Sequence, residues 1–275
     1  MAGEDAQLRT QSNDLGQSES TLIEKTYHSL VEAHHQRDTK IVVKRCRHQD
    51  DPRTSIRFRN EVDALTAASG HDNVAKILDF DSNQLTIALR LEPGLSLDKH
   101  VDVHLESILS SSECTTVWRQ MASALSYLHS LSIIHDDVKP DNIMWSRQDQ
   151  NSVLIDFGAA LVNMPENYFN PSGTPNYAPP EFLHRKKHIR GDIWGLGITM
   201  LFAFGYVPLP DGQWILPIAL EEGTEAHKEM SAWLAQVAQL RVELVESKPL
   251  VVAMLDADPD ARIGSGELSR QLETV

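Results

Sequence analysis

The chain has 275 residues, of which 41% are hydrophobic, and a formal net charge of −14. This length and apolar content predict a folded protein, built as one unit or as two lobes that share a cleft. The negative charge disfavours nucleic acids and anionic membranes as partners, because both are bound mainly through Lys and Arg. Two cysteines, Cys46 and Cys114, are too few for a disulfide framework and indicate a reducing compartment.

The first third of the chain predicts a small, sheet-rich unit with one helix. Residues 1–20 are polar and acidic and lack the apolar stretch of a secretory signal, so we expect a disordered tail there. Apolar side chains recur at steps of three and four over residues 56–68, which is typical of a helix. Short apolar or β-branched runs predict strands at residues 22–24, 30–33, 40–44, 75–78 and 85–89.

The rest of the chain predicts a larger, mostly helical unit. An apolar face marks a helix around residues 117–128, and an amphipathic pattern marks another over residues 227–244. Residues 142–145 and 153–155 predict a hairpin between them. Residues 193–210 carry no charge, and we expect a helix buried at the centre of the protein rather than a membrane span.

Two polar segments of the second unit carry the groups that chemistry needs. Residues 134–142 (IHDDVKPDN) combine carboxylates, an amine and an amide, although this segment alone fits a polar surface loop equally well. Residues 155–158 (IDFG) place an aspartate after an apolar strand and before a glycine. Together the two segments strongly resemble the catalytic loop and the metal-binding motif of the protein kinase family.

The resemblance implies an α+β, bilobal, protein-kinase-like fold. A small β-rich N-lobe would span residues 21–92, and a larger, mostly helical C-lobe would span residues 93–275. The implied activity is transfer of the γ-phosphoryl group of ATP to Ser or Thr hydroxyls of proteins, with Mg²⁺ as cofactor. We expect a monomer in the cytoplasm or nucleus, with a protein substrate and with no nucleic acid or membrane as partner.

The resemblance also implies roles for individual residues. Asp137 would accept or orient the proton of the substrate hydroxyl, and Lys139 would contact the transferring phosphoryl group. Asn142 and Asp156 would hold magnesium.

The remaining implied roles concern the nucleotide. Lys44 would hold the α- and β-phosphates and pair with Glu61 on the predicted helix. Leu89 falls at the gatekeeper position, before a hinge at residues 90–92. The other expected contacts of the adenine pocket are Val31, Val42, Leu91 and Met144.

Three later segments resemble the family in order. Residues 173–181 (GTPNYAPPE) resemble the end of the activation segment, with Thr174 as the structural threonine of members specific for Ser and Thr. Residues 192–197 (DIWGLG) resemble the start of the buried central helix. Arg262 would form an ion pair with Glu181.

The chain departs from the family at the loop that covers the phosphates. Glu24, Thr26 and Ser29 stand in the three glycine places, so no glycine remains. Glycines there let backbone amides approach phosphate, and a carboxylate at Glu24 would add repulsion. We therefore expect weak or slow nucleotide binding. Val42 replaces the family's small alanine, which predicts a tighter adenine pocket.

A second departure lies beside the catalytic aspartate. Asp136 replaces the arginine that grips a phosphate on the activation loop in many members, so we expect activity without loop phosphorylation and therefore in a Ser172→Ala variant. His184 and His188 have a spacing that can bind metal, but they flank the basic residues 185–187, for which we expect a solvated turn.

Two alternatives to an active protein kinase stay open. A pseudokinase that works as a binding or scaffold module is favoured by the missing glycines and disfavoured by the complete set of catalytic residues. A small-molecule phosphotransferase of related fold is disfavoured by residues 173–181 together with Arg262, which serve protein substrates.

Overall fold

The computed structural model describes residues 20–36, 39–165, 168–210 and 223–274. Residues 1–19, which hold nearly all of the predicted tail, lie outside the described residues, and Ser20 begins the first strand. The chain folds into a sheet-rich N-lobe followed by a helical C-lobe, so the predicted bilobal α+β fold is confirmed.

The N-lobe is built on a five-stranded antiparallel sheet with the order β1-β2-β3-β5-β4. Strands β1 to β5 span Ser20–Lys25, Ser29–Gln36, Thr39–Cys46, Ile77–Asp81 and Thr86–Arg90. Helix α1, Pro52–Ala67, lies between β3 and β4 and begins four residues earlier than predicted. The reason is the cap, because the Asp51 carboxylate accepts a hydrogen bond from the Arg53 amide at 2.9 Å and Pro52 occupies the first turn.

The C-lobe contains the remaining elements. Short strands β6 to β10 span Leu95–Ser96, Ile133–Ile134, Ile143–Ser146, Asn151–Leu154 and Leu161–Val162. Helices α2 to α6 span Ser111–Ser130, Gly191–Ala203, Glu225–Leu244, Pro249–Met254 and Ser265–Leu272. The predicted hairpin is β8–β9, and the predicted helices around residues 117–128 and 227–244 are confirmed as α2 and α4.

The fourth strand lies later than predicted. Residues 75 and 76 were expected in it, but β4 begins at Ile77. The Ala75 amide instead donates to the Leu154 carbonyl at 3.0 Å, and Val74 bridges Leu154 in parallel. The apolar run therefore ties the N-lobe to the hairpin of the C-lobe before it enters the sheet.

Helix α3 is the buried centre of the C-lobe, as predicted, but it ends at Ala203 rather than continuing to residue 210, because the chain turns at Gly205, which has a φ of +77°. Its side chains from Asp192 onwards are buried, including the large Trp194 and Phe202. Among the described residues, no helix combines the length and the apolar character that a membrane crossing needs. A Cβ on Gly195 would lie 2.7 Å from the Val138 carbonyl oxygen, so only glycine allows α3 to touch the loop at residues 134–142 this closely.

The predicted pair of Arg262 and Glu181 is present and buried. The guanidinium donates to both carboxylate oxygens, at 2.9 and 2.8 Å, and the side chains are 0% and 4% exposed. Arg262 also donates to the carbonyls of Arg190 and Asp256, both at 2.9 Å. The end of the activation segment is thereby fastened to the C-terminal part of the lobe.

Replacement of Arg262 by Met should lower the free energy of unfolding by about 3–5 kcal/mol, because it leaves the Glu181 carboxylate buried and unpaired. Chemical denaturation measures this change. Arg270→Met is the matched control, since Arg270 pairs with Glu267 on the exposed surface of α6 and its loss should barely move the midpoint. Equal effects of the two substitutions would contradict the assignment.

Candidate active site

The side-chain amine of Lys44 lies between two carboxylates from different parts of the fold. Lys44 Nζ is 2.6 Å from Glu61 Oε1 on α1 and 2.6 Å from Asp156 Oδ1, which follows β9. Lys44 and Glu61 are buried, at 8% and 3% exposure. The structure thus brings the expected pair together and joins it to the C-lobe through Asp156.

The electrostatics of this cluster favour a charged Lys44 and an ionised Asp156, whereas burial raises the pKa of the Glu61 carboxyl. Burial opposes the charge on Lys44, but the Asp156 and Glu61 carboxylates outweigh it and raise the pKa of the amine. Burial also opposes ionisation of Asp156, yet Lys44 and the amide of Gly158 hold its pKa well below the usual range. A charged amine and an ionised carboxylate therefore face each other at neutral pH.

Asp137 and Lys139 meet at the hydroxyl group of Thr174. Lys139 Nζ lies 3.2 Å from Asp137 Oδ2 and 2.8 Å from Thr174 Oγ1. The Thr174 hydroxyl donates to Asp137 Oδ1 at 2.7 Å. Burial opposes the charge on Lys139, but Asp137 and Asp141 outweigh it and raise its pKa. The catalytic loop and the activation segment are in direct contact at this point.

Asn142 completes the catalytic loop. Its Nδ2 donates to the Asp137 carbonyl at 2.8 Å and to Asp137 Oδ2 at 3.1 Å, so the amide oxygen is turned away from Asp137. The Ile155 amide donates to the Asn142 carbonyl at 2.9 Å, which holds Asn142 beside the segment that carries Asp156. A carboxylate and an amide oxygen are ligands that Mg²⁺ prefers, so this donor set fits a magnesium ion.

The buried carboxylate of Asp192, at the start of α3, holds the backbone of the catalytic loop. Its two oxygens accept the amides of His135 and Asp136, both at 2.8 Å, and Asp136 takes a left-handed φ of +66°. The His135 ring donates through Nε2 to the Ile155 carbonyl at 3.0 Å and packs edge-on against Phe157 at 4.8 Å. Helix α3 thereby positions the segments of both Asp137 and Asp156.

A cavity of about 1060 Å³ opens between the lobes, which is ample for a nucleoside triphosphate. Most of the residues expected to bind nucleotide, metal or substrate contribute to its walls. Those that line it are Lys44, Glu61, Leu91, Asp137, Lys139, Asn142, Met144 and Asp156.

Three residues expected in the adenine pocket do not line this cavity: Val31, Val42 and Leu89. The strand register pairs Val31 with Lys44 and Val42 with Leu89. Because Val42 precedes Lys44 by two residues in β3, all of these side chains lie on the face of the sheet that carries the Lys44 amine. They border the site without reaching the cavity wall.

The turn between β1 and β2 is closed by its own side chains. The Thr26 hydroxyl oxygen accepts the amides of His28 at 3.2 Å and Ser29 at 3.0 Å, and Arg47 donates to the Thr26 carbonyl. In a glycine-rich turn, amides of this kind contact phosphate. Here a phosphate group would first have to displace the Thr26 hydroxyl.

Glu24, near the end of strand β1, lines the cavity just before this turn. A bulge between Leu22 and Glu24 shifts the strand register, and both Ile23 and Glu24 line the cavity. Burial, followed by the charge of Asp156, raises the pKa of the Glu24 carboxyl. This position supports the expected repulsion of phosphate by Glu24.

Lys187 is a site residue that the sequence analysis missed. The expectation of a solvated turn at residues 185–187 is wrong for Lys187, whose side chain is 7% exposed and contacts Asp136 and Ser172. Burial raises the pKa of Asp136 to about 6, with Lys187 and Ser172 opposing the shift. The available signal was Asp136 itself, since a carboxylate buried in the place of an arginine needs a cation nearby.

The paired lysine and glutamate, the catalytic loop and the interlobe cavity together define a kinase-like molecule. A family model described as the protein kinase domain matches residues 25–272. The chain therefore belongs to the protein kinase family.

Curated relatives agree with this assignment. The chain is 26% identical over 282 residues to CBL-interacting protein kinase 22 of Oryza sativa subsp. japonica, covering 92% of the chain and 58% of the relative. It is 29% identical over 215 residues to maternal embryonic leucine zipper kinase of Xenopus tropicalis, covering 75% and 31%. It is 31% identical over 184 residues to serine/threonine-protein kinase ppk34 of Schizosaccharomyces pombe, covering 62% and 51%. The chain spans less than two thirds of each of these relatives.

Replacement of Glu24 by Gln should tighten binding of ATP-Mg²⁺ by about fivefold, or about 1 kcal/mol, because it removes one negative charge from the N-lobe wall of the cavity. Isothermal titration calorimetry measures the dissociation constant. Glu32→Gln is the matched control, because it removes the same charge from the neighbouring strand outside the cavity wall and should leave the constant unchanged. Weaker binding by the Glu24 variant would contradict the repulsive role.

Proposed function

We propose that the chain is a serine/threonine protein kinase that transfers the γ-phosphoryl group of ATP to protein hydroxyls, with Mg²⁺ as cofactor. One observation carries the proposal. The cluster of Lys44, Glu61 and Asp156 and the pair of Asp137 and Lys139 line the same cavity, with nitrogen–oxygen distances of 2.6 Å in the cluster and 3.2 Å in the pair.

The Lys44 amine would contact the α- and β-phosphates. To do so it would exchange its contact with Asp156 for phosphate oxygens, while Glu61 keeps the amine in place. Asp156 and the amide oxygen of Asn142 would hold Mg²⁺, which when bound offsets the negative charge of the phosphates. Positioning and charge compensation supply most of the catalysis in this reaction class.

Asp137 would accept or orient the proton of the substrate hydroxyl. Its Oδ1 already accepts a hydrogen bond from a hydroxyl group, that of Thr174, at 2.7 Å, so the carboxylate is suited to such a donor. Lys139, within 3.2 Å of the same carboxylate, would neutralise charge on the transferring group. Both side chains are partly exposed toward the cleft, at 18% and 19%.

Two features support serine and threonine as acceptors. Lys139 stands two residues after Asp137, and Thr174 links both residues to the activation segment. In the family resemblance both features are typical of members specific for these hydroxyls. One relative of similar sequence is named a serine/threonine-protein kinase.

A pseudokinase that binds partners without catalysis is the second candidate. The observations that favour it are the turn closed by Thr26 and the Glu24 carboxylate in the cavity. The first candidate is preferred because one cavity is lined by all six residues expected to act in catalysis, namely Lys44, Glu61, Asp137, Lys139, Asn142 and Asp156. A small-molecule phosphotransferase is disfavoured by the buried pair of Glu181 and Arg262. The monomeric state and the cytoplasmic or nuclear location stay predictions.

Replacement of Asp137 by Asn should lower phosphoryl transfer by about 10²–10⁴-fold, because the amide cannot take the hydroxyl proton. The assay follows labelled phosphate from ATP-Mg²⁺ to a mixture of protein acceptors. Binding of ATP, measured separately, should change little, since Asp137 acts on the acceptor side.

The matched control is Asp63→Asn, which removes a carboxylate from the exposed face of α1 and should retain full transfer. Absence of transfer by the unaltered chain, with ATP bound, would support the pseudokinase. Undiminished transfer by the Asp137 variant would show that the activity comes from another protein in the sample.

A further inference from the structure

Asp136, Ser172 and Lys187 form a three-way contact beside the catalytic loop. The Ser172 hydroxyl and the Lys187 amine both donate to Asp136 Oδ2, and Lys187 Nζ lies 2.7 Å from Ser172 Oγ. The side chains of Lys187 and Asp136 are 7% and 13% exposed. We refer to these three residues as the latch.

The latch sits next to the groups that would perform the chemistry. Asp136 directly precedes Asp137, and Ser172 stands two residues before Thr174. The latch and the contact of Thr174 with Asp137 and Lys139 therefore fasten one stretch of the activation segment to one stretch of the catalytic loop. Movement at Ser172 would be transmitted directly to Thr174.

We propose that Lys187 is a positioning residue that holds the activation segment on the catalytic loop without a phosphate, and that a negative charge on Ser172 opens this latch and lowers phosphoryl transfer. The proposal rests on the proposed function. It assigns to Ser172 a role opposite to that of an activating phosphorylation site.

The charges around Lys187 support an inhibitory effect of negative charge at Ser172. Lys187 faces three carboxylates, those of Asp136, Asp137 and Asp192. The backbone of Asp136 is held in place, because its amide donates to Asp192 at 2.8 Å. The neighbouring Lys186 is exposed, so solvent screens its charge. Lys139 lies 3.2 Å from Asp137, and His129 lies 3.0 Å from Asp192. A further anion at position 172 would thus compete with Asp136 for the Lys187 amine.

Phosphorylation of Ser172 would supply such an anion. Its Oγ would form a bond to the γ-phosphorus of ATP while the bond from that phosphorus to the oxygen bridging the β- and γ-phosphates breaks. ADP would leave with that oxygen, and the hydroxyl proton would pass to solvent. The modified side chain would carry a charge of about −1.5 to −2 at neutral pH and would no longer donate a hydrogen bond to Asp136. It would meet the Asp136 carboxylate at contact distance.

The test is a double-mutant cycle with two measurements. Ser172→Asp and Ser172→Ala are made in the unaltered chain and in an Asp136→Asn background, and Ser112→Asp on the exposed start of α2 serves as the matched control. One measurement is the kcat of phosphoryl transfer with its KM for ATP. The other is hydrogen–deuterium exchange of residues 168–181, which reports on the latch even without activity.

In the unaltered chain, Ser172→Asp should lower kcat by about tenfold or more with little change in KM for ATP, and Ser172→Ala by about threefold at most. Exchange in residues 168–181 should rise only for the Asp variant. In the Asp136→Asn background the penalty of Ser172→Asp should disappear, because Lys187 can then pair with the new carboxylate. Lys187→Met should lower kcat, and Lys187→Arg should restore much of it.

Equal kcat and equal exchange for the Asp and Ala variants would overturn the latch, as would a penalty that persists in the Asp136→Asn background. Failure of the proposed function looks different. In that case the unaltered chain would show no transfer, whereas the exchange measurements would still separate the Asp variant from the Ala variant if the latch exists.

Discussion

The cleft depends on the Lys44 amine, which contacts a carboxylate of each lobe. Lys44 Nζ lies 2.6 Å from a carboxylate of the N-lobe and 2.6 Å from one of the C-lobe. Lys44 and Glu61 form a buried ion pair, and removal of one member costs several kcal/mol because the other charge stays behind unpaired. The Asp156 side chain is 45% exposed, so its contact with Lys44 contributes less. The positions of α1 and of the segment after β9 are therefore coupled through Lys44. A phosphate group can enter this arrangement by replacing Asp156 at the amine, which frees that carboxylate for a metal ion.

The C-lobe side of the cleft matches the pattern of the family, whereas the N-lobe side departs from it. On the C-lobe side, Asp192 accepts two backbone amides of the catalytic loop, and that loop places Asp137 beside Lys139. On the N-lobe side, the Thr26 hydroxyl accepts hydrogen bonds from amides that could otherwise bind phosphate, and Glu24 adds a negative charge. From this contrast we expect a chain that keeps the groups for chemistry and binds the nucleotide weakly. Turnover would then be limited by nucleotide binding rather than by alignment of the reacting groups.

The sequence predicted what depends on local pattern or on motifs in order. The β-branched run that ends at Lys44, the buried helix α3 and the pair of Glu181 and Arg262 are all present. The sequence did not predict the features that depend on contacts between residues far apart in the chain. Residues 74 and 75 pair with the hairpin of the C-lobe, and no local pattern shows that. Lys187 looks like an ordinary surface charge until the fold places it on Asp136.

A crystal structure with an unreactive ATP analogue and Mn²⁺ tests the central claim most directly, since manganese is located by its anomalous signal. The account predicts a metal ion bonded to Asp156 and Asn142, with the Lys44 amine on phosphate oxygens and still paired with Glu61. A cleft that stays empty at saturating nucleotide, with Lys44 on Asp156, would contradict it. So would a nucleotide whose metal ion lies away from both side chains.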